Sequence, residues 1–259
     1  MNNSTQDNSM NLDARGASLV DSFDVGKGDF VAVIGAGGKS TLLKRMADEL
    51  NERGMKVFTS STTNLQPPRP GQTDDFIIAN GAERLVELLQ ASFEKHQHVM
   101  AASSDFERKD KLKGLEPEEL LAIRETRIAD VILIQADGAR KRSFKAPAKH
   151  EPTVPAFSTH CILTVGLDIL GEPLDDRKVH RTEITAQFAG QPVGSMVTLE
   201  TVLRVLEHPD AYLSRIPSSA RRMLYLSKAD SPGRLEAAQC LADLISPESY
   251  SPVIWADLK

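Results

Sequence analysis

The sequence predicts a three-layer α/β fold built on a mainly parallel β-sheet. Short apolar runs alternate with amphipathic helical stripes along most of the chain, as in successive β–α–β units. Most of the apolar runs lack the polar alternation of a half-exposed strand. That pattern is expected when helices cover both faces of a sheet.

The elements can be assigned in order along the chain. The predicted strands are residues 30–34, 56–59, 76–79, 99–102, 131–136, 161–165, 223–226 and 253–255. Apolar stripes at helical spacing predict five helices, whose stripes begin at Leu42, Leu85, Leu120, Leu199 and Leu235. Pro117 can occupy the first turn of the third helix, and Ser231-Pro232 starts the fifth. We expect residues 18–259 to form one domain and residues 1–17, which are rich in Asn, Ser and Asp, to be a disordered tail.

Composition excludes several classes of protein. The 259 residues are 41% hydrophobic and 26% charged, as in ordinary soluble globular proteins. A net charge of −5 and a pI near 5.7 argue against a nucleic-acid-binding protein. No apolar run approaches the roughly 18 residues of a membrane span, and the N-terminal residues lack the apolar core of a signal peptide. Cys161 and Cys240 stand alone in apolar segments, so we expect free thiols in a cytoplasmic protein.

A glycine-rich motif follows the strand predicted at 30–34. A buried strand that enters a glycine turn and then a helix leaves backbone N–H groups unpaired at the positive end of the helix dipole, and these groups can cradle phosphate. In such a loop the lysine contacts the terminal phosphates and the next hydroxyl holds Mg²⁺. The predicted nucleotide-binding residues are Gly35, Ala36, Gly37, Gly38, Lys39, Ser40 and Thr41. The motif therefore predicts a fold of the phosphate-loop NTPase type that binds Mg²⁺ with ATP or GTP.

The motif also departs from the standard phosphate loop. That loop has an earlier glycine at the position occupied here by Val33, so the loop in this chain is compressed. A glycine-rich strand-to-helix turn that binds nothing is the alternative interpretation.

Two further segments predict contacts with a nucleotide. Asp137 follows an apolar strand, where an aspartate commonly supports Mg²⁺, so we expect Lys39 and Asp137 to be catalytic and Ser40 and Asp137 to hold the metal. Ser227, Lys228 and Asp230 resemble the Asn/Thr-Lys-x-Asp tetrad that reads guanine in GTP-binding proteins, with Ser227 as a departure. The alternatives are an aspartate that caps a turn at 137 and a turn with a helix cap at 230.

Two loops are candidates for a second ligand. Residues 103–116 are charged, and residues 139–155 are basic and then proline-rich. Both follow strand ends, where ligands bind in open parallel sheets. The candidate substrate residues, which can bind an anion, move a proton or ligate a metal, are Lys145, His150, Glu151, His180 and Arg181. Surface charge pairs are the alternative, and the spacing matches no zinc pattern.

Several of these segments together resemble the selenium-dependent hydroxylase accessory protein family of bacteria. The matching pieces are residues 35–41, 59–63, 111–118, 136–140, 145–155, 165–168, 179–183 and 227–230, of which Lys-Ala-Pro-Ala-Lys-His-Glu-Pro-Thr-Val-Pro at 145–155 is the most distinctive. The resemblance implies a cytoplasmic, nucleotide-using factor associated with the maturation of selenium-dependent molybdenum hydroxylases. The family is expected to place a glutamate two residues before Asp137, where this chain has Gln135.

Three hypotheses follow. The chain is an NTP-hydrolysing assembly factor that acts on a molybdenum hydroxylase apoenzyme or its cofactor, a small-molecule kinase that acts on a cofactor precursor, or a nucleotide-binding scaffold without turnover. The sequence does not distinguish ATP from GTP and names no acceptor.

Overall fold

Parallel strands dominate the computed structural model, which describes residues 9–12, 17–104, 106–108 and 111–258. The strands are β1 (Ser9–Asn11), β2 (Phe30–Gly35), β3 (Val57–Ser61), β4 (Asp75–Ile78), β5 (His98–Ala102), β6 (Phe106–Arg108), β7 (Lys111–Leu112), β8 (Val131–Gln135), β9 (Phe144–Lys145), β10 (His160–Gly166), β11 (Val179–His180), β12 (Arg221–Ser227) and β13 (Val253–Ala256). The helices are α1 (Leu19–Ser22), α2 (Lys39–Glu52), α3 (Ala82–Phe93), α4 (Pro117–Thr126), α5 (Thr182–Ala189), α6 (Leu199–Glu207) and α7 (Pro232–Leu244).

Nine strands of the described chain form one sheet in the order β1-β13-β12-β10-β2-β8-β3-β5-β4. Every pairing in this sheet is parallel. Two small pairs lie outside it, the parallel pair β9–β11 and the antiparallel pair β6–β7. The prediction of an α/β fold with a mainly parallel sheet is confirmed.

The side chains of β2 point alternately to the two faces of the sheet, and this alternation explains the three layers. Phe30, Ala32 and Ile34 belong to the apolar cluster that packs against α3, α4, α6 and α7. Val31 and Val33 point to the opposite face and belong to the cluster that contains α1 and α2. The central strand is therefore buried on both faces, as its unbroken apolar sequence predicts.

All of the predicted main strands and helices are present, and each strand end lies within two residues of its predicted position. The helix predicted near 117 begins with Pro117 at its first turn and a capping box between Glu116 and Glu119. Helices α1 and α5 and the short strands β1, β6, β7, β9 and β11 were not predicted.

Residues 9–12 fall within the segment 1–17 that the sequence predicts as a disordered tail, and the structure describes them with a strand at Ser9–Asn11. Ser9 to Asn11 pair in register with Val253 to Trp255 of β13, and Leu12 is buried in the core beside α1 and α2. The pairing explains the order, because an edge strand gains backbone hydrogen bonds whatever its composition. Residues 1–8 and 13–16 lie outside the described part of the chain.

The charged loop at 103–116 includes the β6–β7 pair, while residues 105, 109 and 110 lie outside the described part. Across the ranges that the structure covers, no helix has the length and apolar character needed to cross a membrane.

Candidate functional site

A cleft of about 1680 Å³ opens at the carboxyl ends of β2, β8 and β3. Parallel strands place their carboxyl ends on one edge of the sheet, so the loops that follow them meet there. The predicted site residues that line the cleft are Gly37, Gly38, Lys39, Ser40, Thr41, His150, Glu151, His180, Arg181 and Lys228. The structure therefore brings together most of the residues that the sequence marks as a site.

The glycine loop, residues 35–38, requires glycine for two different reasons. Gly35, Gly37 and Gly38 all have positive φ angles, of +89°, +85° and +107°, which L side chains adopt only with strain. A Cβ on Gly35 would also lie 2.4 Å from the Thr164 carbonyl oxygen, and one on Gly37 would lie 2.4 Å from the Gly166 nitrogen. The loop thus packs directly on the end of β10.

The backbone amides of residues 35–41 divide into two groups. The Gly35, Ala36 and Gly37 amides donate to the Asp137 carboxylate, the Thr164 carbonyl and the Arg142 carbonyl, at 2.9, 2.9 and 3.0 Å. The amides of residues 38–41, at the start of α2, have no hydrogen-bond partner within the described part of the chain. The second group is therefore the one available to an anion, because the first turn of a helix leaves its N–H groups unpaired.

Lys39 lies behind the glycine loop, and its side chain is 6% exposed. Its Nζ lies 3.0 Å from Asp137 Oδ1 and donates to the Gly35 carbonyl. Burial lowers the pKa of Lys39, and the negative charge of Asp137 only partly offsets this effect. The loop lysine is thus paired with a carboxylate inside the protein.

The ion pair continues through three more contacts, and the four contacts together form the charge chain Lys39–Asp137–Lys145–Glu151–Arg181. Lys145 is fully buried, lies 3.0 Å from Asp137 Oδ2, and also pairs with Glu151, which in turn pairs with Arg181. Burial alone would raise the pKa of Glu151, but Arg181 and Lys145 hold the pKa below its usual range. Predicted substrate residues Lys145 and Glu151 are therefore committed to internal ion pairs.

His150 and His180 lie at the outer end of the charge chain. His150 is exposed, and its Nε2 lies 3.4 Å from the Arg181 guanidinium. Burial, with the positive charges of Lys145 and Arg181, lowers the pKa of His180 to about 4. His180 is therefore neutral at physiological pH.

Ser40 faces Gln135 at the end of β8. The Ser40 hydroxyl lies 3.5 Å from Gln135 Oε1, and the amide nitrogen of Gln135 donates to the Asp137 carbonyl at 3.0 Å. The carboxylate of Asp137 is instead fully buried and contacts Gly35, Lys39 and Lys145. The role of Asp137 as a metal ligand stays a prediction, and the geometry gives its carboxylate a different set of partners.

The tetrad-like segment at the end of β12 contacts the glycine loop through its first residue. The Ser227 hydroxyl donates to the Gly37 carbonyl. Lys228, with a positive φ of +60°, lies 2.8 Å from both Ser143 Oγ and Asp168 Oδ2. Asp230 pairs with Arg234 in the first turn of the following helix, α7. Of these three residues, Lys228 lines the cleft, Ser227 contacts the glycine loop from behind it, and Asp230 does neither; their role at the site stays a prediction.

Sequence reasoning did not name three basic residues that line the cleft, Arg140, Lys141 and Arg142. Arg140 and Lys141 are exposed and have positive φ angles of +47° and +61°. The signal was present in the sequence, since these residues form a run of three cations directly after Asp137-Gly138-Ala139 at a strand end. Among described residues, no group of three or more His, Cys, Asp or Glu side chains is placed to hold a metal ion.

Comparison with known proteins identifies the family. A family model described as "YqeC protein" matches residues 31–183, which is more than half of the chain. The chain belongs to the YqeC family. The matched range contains the glycine loop and the whole charge chain, and it ends before Ser227.

One curated YqeC relative and one solved structure are similar to the chain. The relative is the "Uncharacterized protein YqeC" of Escherichia coli strain K12, 28% identical over 232 residues that cover 87% of this chain and 85% of the relative. The structure is the signal recognition particle 54 kDa protein of Aeropyrum pernix K1 in complex with GDP, with a TM-score of 0.36 and 13% identity. That alignment covers 88% of this chain and 41% of the other, a likeness too weak to indicate a shared ligand.

Proposed function

We propose that this YqeC-family protein binds a nucleoside triphosphate with Mg²⁺ and serves as an accessory factor in maturation of a molybdenum hydroxylase. The observation that supports nucleotide binding best is the start of α2. Residues 38–41 line the cleft directly after a glycine turn, and their amides have no hydrogen-bond partner among the residues that the structure describes. They include the lysine and hydroxyl that the motif requires. Amides at a helix N-terminus and the positive end of its dipole favour phosphate.

The phosphate tail would contact a shorter part of the loop than the motif alone implies. Because the amides of Ala36 and Gly37 already bond to Thr164 and Arg142, the proposed cradle consists of residues 38–41. Arg140 and Lys141 at the rim supply further positive charge, which suits the terminal phosphates.

The residues present fit a Mg²⁺ ion that arrives with the nucleotide. A hard cation that bridges phosphates needs only one or two protein oxygens and keeps water molecules. The Ser40 hydroxyl and the Gln135 amide oxygen would supply these oxygens, while Asp137 would balance the charge of Lys39. When bound, Mg²⁺ supplies positive charge to the phosphate oxygens.

The base-binding role of Ser227, Lys228 and Asp230 is supported only in part. Lys228 lines the cleft, and Ser227 fixes the Gly37 carbonyl, so both residues are placed to act next to a bound nucleotide. Asp230 would have to exchange its ion pair with Arg234 before it could accept hydrogen bonds from guanine. The choice between ATP and GTP therefore stays open.

The accessory role rests on the family resemblance and on the width of the cleft. The cleft extends beyond the glycine loop to residues 63–72 on one side and 175–184 on the other, which leaves room for a second ligand or a segment of a partner. A kinase that phosphorylates a cofactor precursor fits the same cleft and is the second candidate.

A calorimetric screen of ATP, GTP and CTP with Mg²⁺ tests nucleotide binding directly. We expect one of these nucleotides to bind and to raise the unfolding temperature, as any ligand selective for the folded state does. Absence of both effects with all three nucleotides would remove the proposal.

Phosphate release then separates the candidate functions. Stimulation of release by a molybdenum hydroxylase apoenzyme would support the accessory role. Phosphate found on a pterin or selenium compound and not in water would support the kinase. No turnover with any acceptor or partner would leave a nucleotide-binding scaffold.

A further inference from the structure

The charge chain raises a difficulty for the proposed function, on which this inference rests. Lys39 has to reach phosphate oxygens in the cleft, yet its ammonium lies 3.0 Å from a carboxylate that is fully buried. Removing the sole counter-ion of a buried carboxylate is strongly unfavourable, because the remaining charge is neither hydrated nor paired. A lysine held in this way would bind phosphate poorly unless another cation stayed with Asp137.

Lys145 is that second cation. It lies 3.0 Å from the other carboxylate oxygen of Asp137, and its ammonium also donates to the Gly138 carbonyl at 2.8 Å and pairs with Glu151. With Lys39 in place, the charge chain contains three cations and two anions. Without Lys39 it contains Lys145, Arg181, Asp137 and Glu151, so the buried charges still balance.

The position of Lys145 is fixed by its backbone as well as by its charge. Its carbonyl accepts a hydrogen bond from the buried Tyr212 hydroxyl at 3.0 Å, and β9 pairs Lys145 with His180 of β11. The side chain is fully buried behind the cleft. Lys145 therefore has no direct contact with a ligand in the cleft.

We propose that Lys145 is a positioning residue that acts through Asp137. It remains as the counter-ion of the buried carboxylate when Lys39 moves to the phosphates of a nucleotide, and so it makes Lys39 available for binding. Asp137 keeps the Gly35 amide and Lys145 throughout, which holds the glycine loop in place while Lys39 changes partners.

A double-mutant experiment tests this role with Mg-ATP and Mg-GTP as calorimetric probes. Lys145→Met removes the charge at similar length, and we expect at least tenfold weaker binding, because Lys39 then remains with Asp137. Asp137→Asn combined with Lys145→Met removes the anion that holds Lys39, and we expect binding at least about threefold tighter than that of Lys145→Met alone. Lys27→Met, at an exposed pair with Asp130, is the matched control.

The outcomes separate this inference from the function on which it depends. If wild type binds neither nucleotide, the proposed function fails and the role of Lys145 fails with it. If wild type binds and Lys145→Met binds equally well, only the inference is wrong. If the double variant is as weak as Lys145→Met, the effect of Lys145 does not pass through Asp137.

A second measurement uses wild-type protein and covers the case in which Lys145→Met does not fold. Lysines are labelled with acetic anhydride in short pulses, with and without saturating nucleotide, and are quantified by mass spectrometry. We expect Lys145 to stay unreactive in both states, because it remains buried against Asp137. A Lys145 that becomes reactive when nucleotide binds would contradict the proposal.

Discussion

Replacing Gly37 with alanine tests the packing of the glycine loop on β10. The φ angle of Gly37 is +85°, and an added Cβ would lie 2.4 Å from the Gly166 nitrogen, 2.6 Å from its Cα and 2.9 Å from the Ser143 carbonyl oxygen. All three neighbours are backbone atoms, so none can move as a flexible side chain would. The Gly166 amide also donates to the Ser143 carbonyl at 2.8 Å, and the methyl group would push these two groups apart.

Gly28 offers a matched control. Its φ of +95° is close to that of Gly37, but a Cβ there would meet nothing within 4 Å. Alanine at either position reduces the freedom of the unfolded chain equally, so this effect cancels in the comparison. The difference between the two variants therefore isolates the close contact with β10.

The expected magnitudes follow from these contacts. A left-handed alanine costs about 1–2 kcal/mol, which is the whole expected loss of stability for Gly28→Ala. Gly37→Ala adds about 1–3 kcal/mol for the overlap and about 0.5–1.5 kcal/mol for the strained hydrogen bond, giving roughly 3–6 kcal/mol. It also displaces the loop that carries the proposed phosphate amides, so we expect nucleotide affinity to fall together with stability.

Urea unfolding measures the difference through the fluorescence of Trp255, the single tryptophan of the chain, which is 4% exposed. If the unfolding free energies of Gly37→Ala and Gly28→Ala differ by less than about 1 kcal/mol, the glycine loop has room for a methyl group and the argument from close packing is wrong.

Three further predictions concern charge. Asp137→Asn leaves two buried ammonium groups short of an anion and should lower the unfolding free energy by roughly 3–5 kcal/mol in urea unfolding. Asp48→Asn, at a half-exposed pair with Lys44, should change it by about 0.5 kcal/mol or less, and equal losses would contradict a buried charge chain. Lys39→Ala should abolish nucleotide binding in calorimetry and leave the fold intact, because Asp137 keeps a second lysine; unchanged affinity would exclude a phosphate-binding lysine at this position. Burial lowers the pKa of His98 and of His180 from 6.5 to about 4. Between pH 4 and 6.5 the unfolded chain therefore binds more protons than the folded chain, so the unfolding free energy should rise with pH across that window. Replacing either histidine with glutamine should flatten this rise in urea titrations at a series of pH values.

The main elements of the fold could be predicted because their signals are local. Strands β2, β8 and β10 are continuous apolar runs, and α2 and α3 carry apolar stripes at helical spacing. The short strands β9 and β11 could not be predicted, since each has two residues and depends on a partner that is distant in sequence. Strand β1 was missed for a similar reason, because its polar sequence becomes a strand only through β13.

Candidate site residues could be predicted where one continuous segment carries the chemistry. Contacts between side chains that are distant in sequence were missed. The glycine turn was predicted from residues 35–41. Lys145, Glu151 and Arg181 were grouped as candidate substrate residues; Glu151 and Arg181 line the cleft, whereas Lys145 is buried behind it. The sequence could not show that these charges face one another in a chain. Lys145 lies 3.0 Å from Asp137 because residues 137–151 return beneath the glycine loop. No local sequence pattern predicts that return.

The pairing of β1 with β13 has a consequence for the handling of this protein. Val253, Ile254 and Trp255 are buried, and β1 covers the outer side of their strand. Removing the first dozen residues would leave that apolar strand with unsatisfied backbone groups at the border of the sheet, a surface on which extended segments of other molecules readily add. Trimmed versions chosen for crystallisation would therefore tend to self-associate, and fusions attached ahead of Ser9 need a spacer that leaves this strand free to dock.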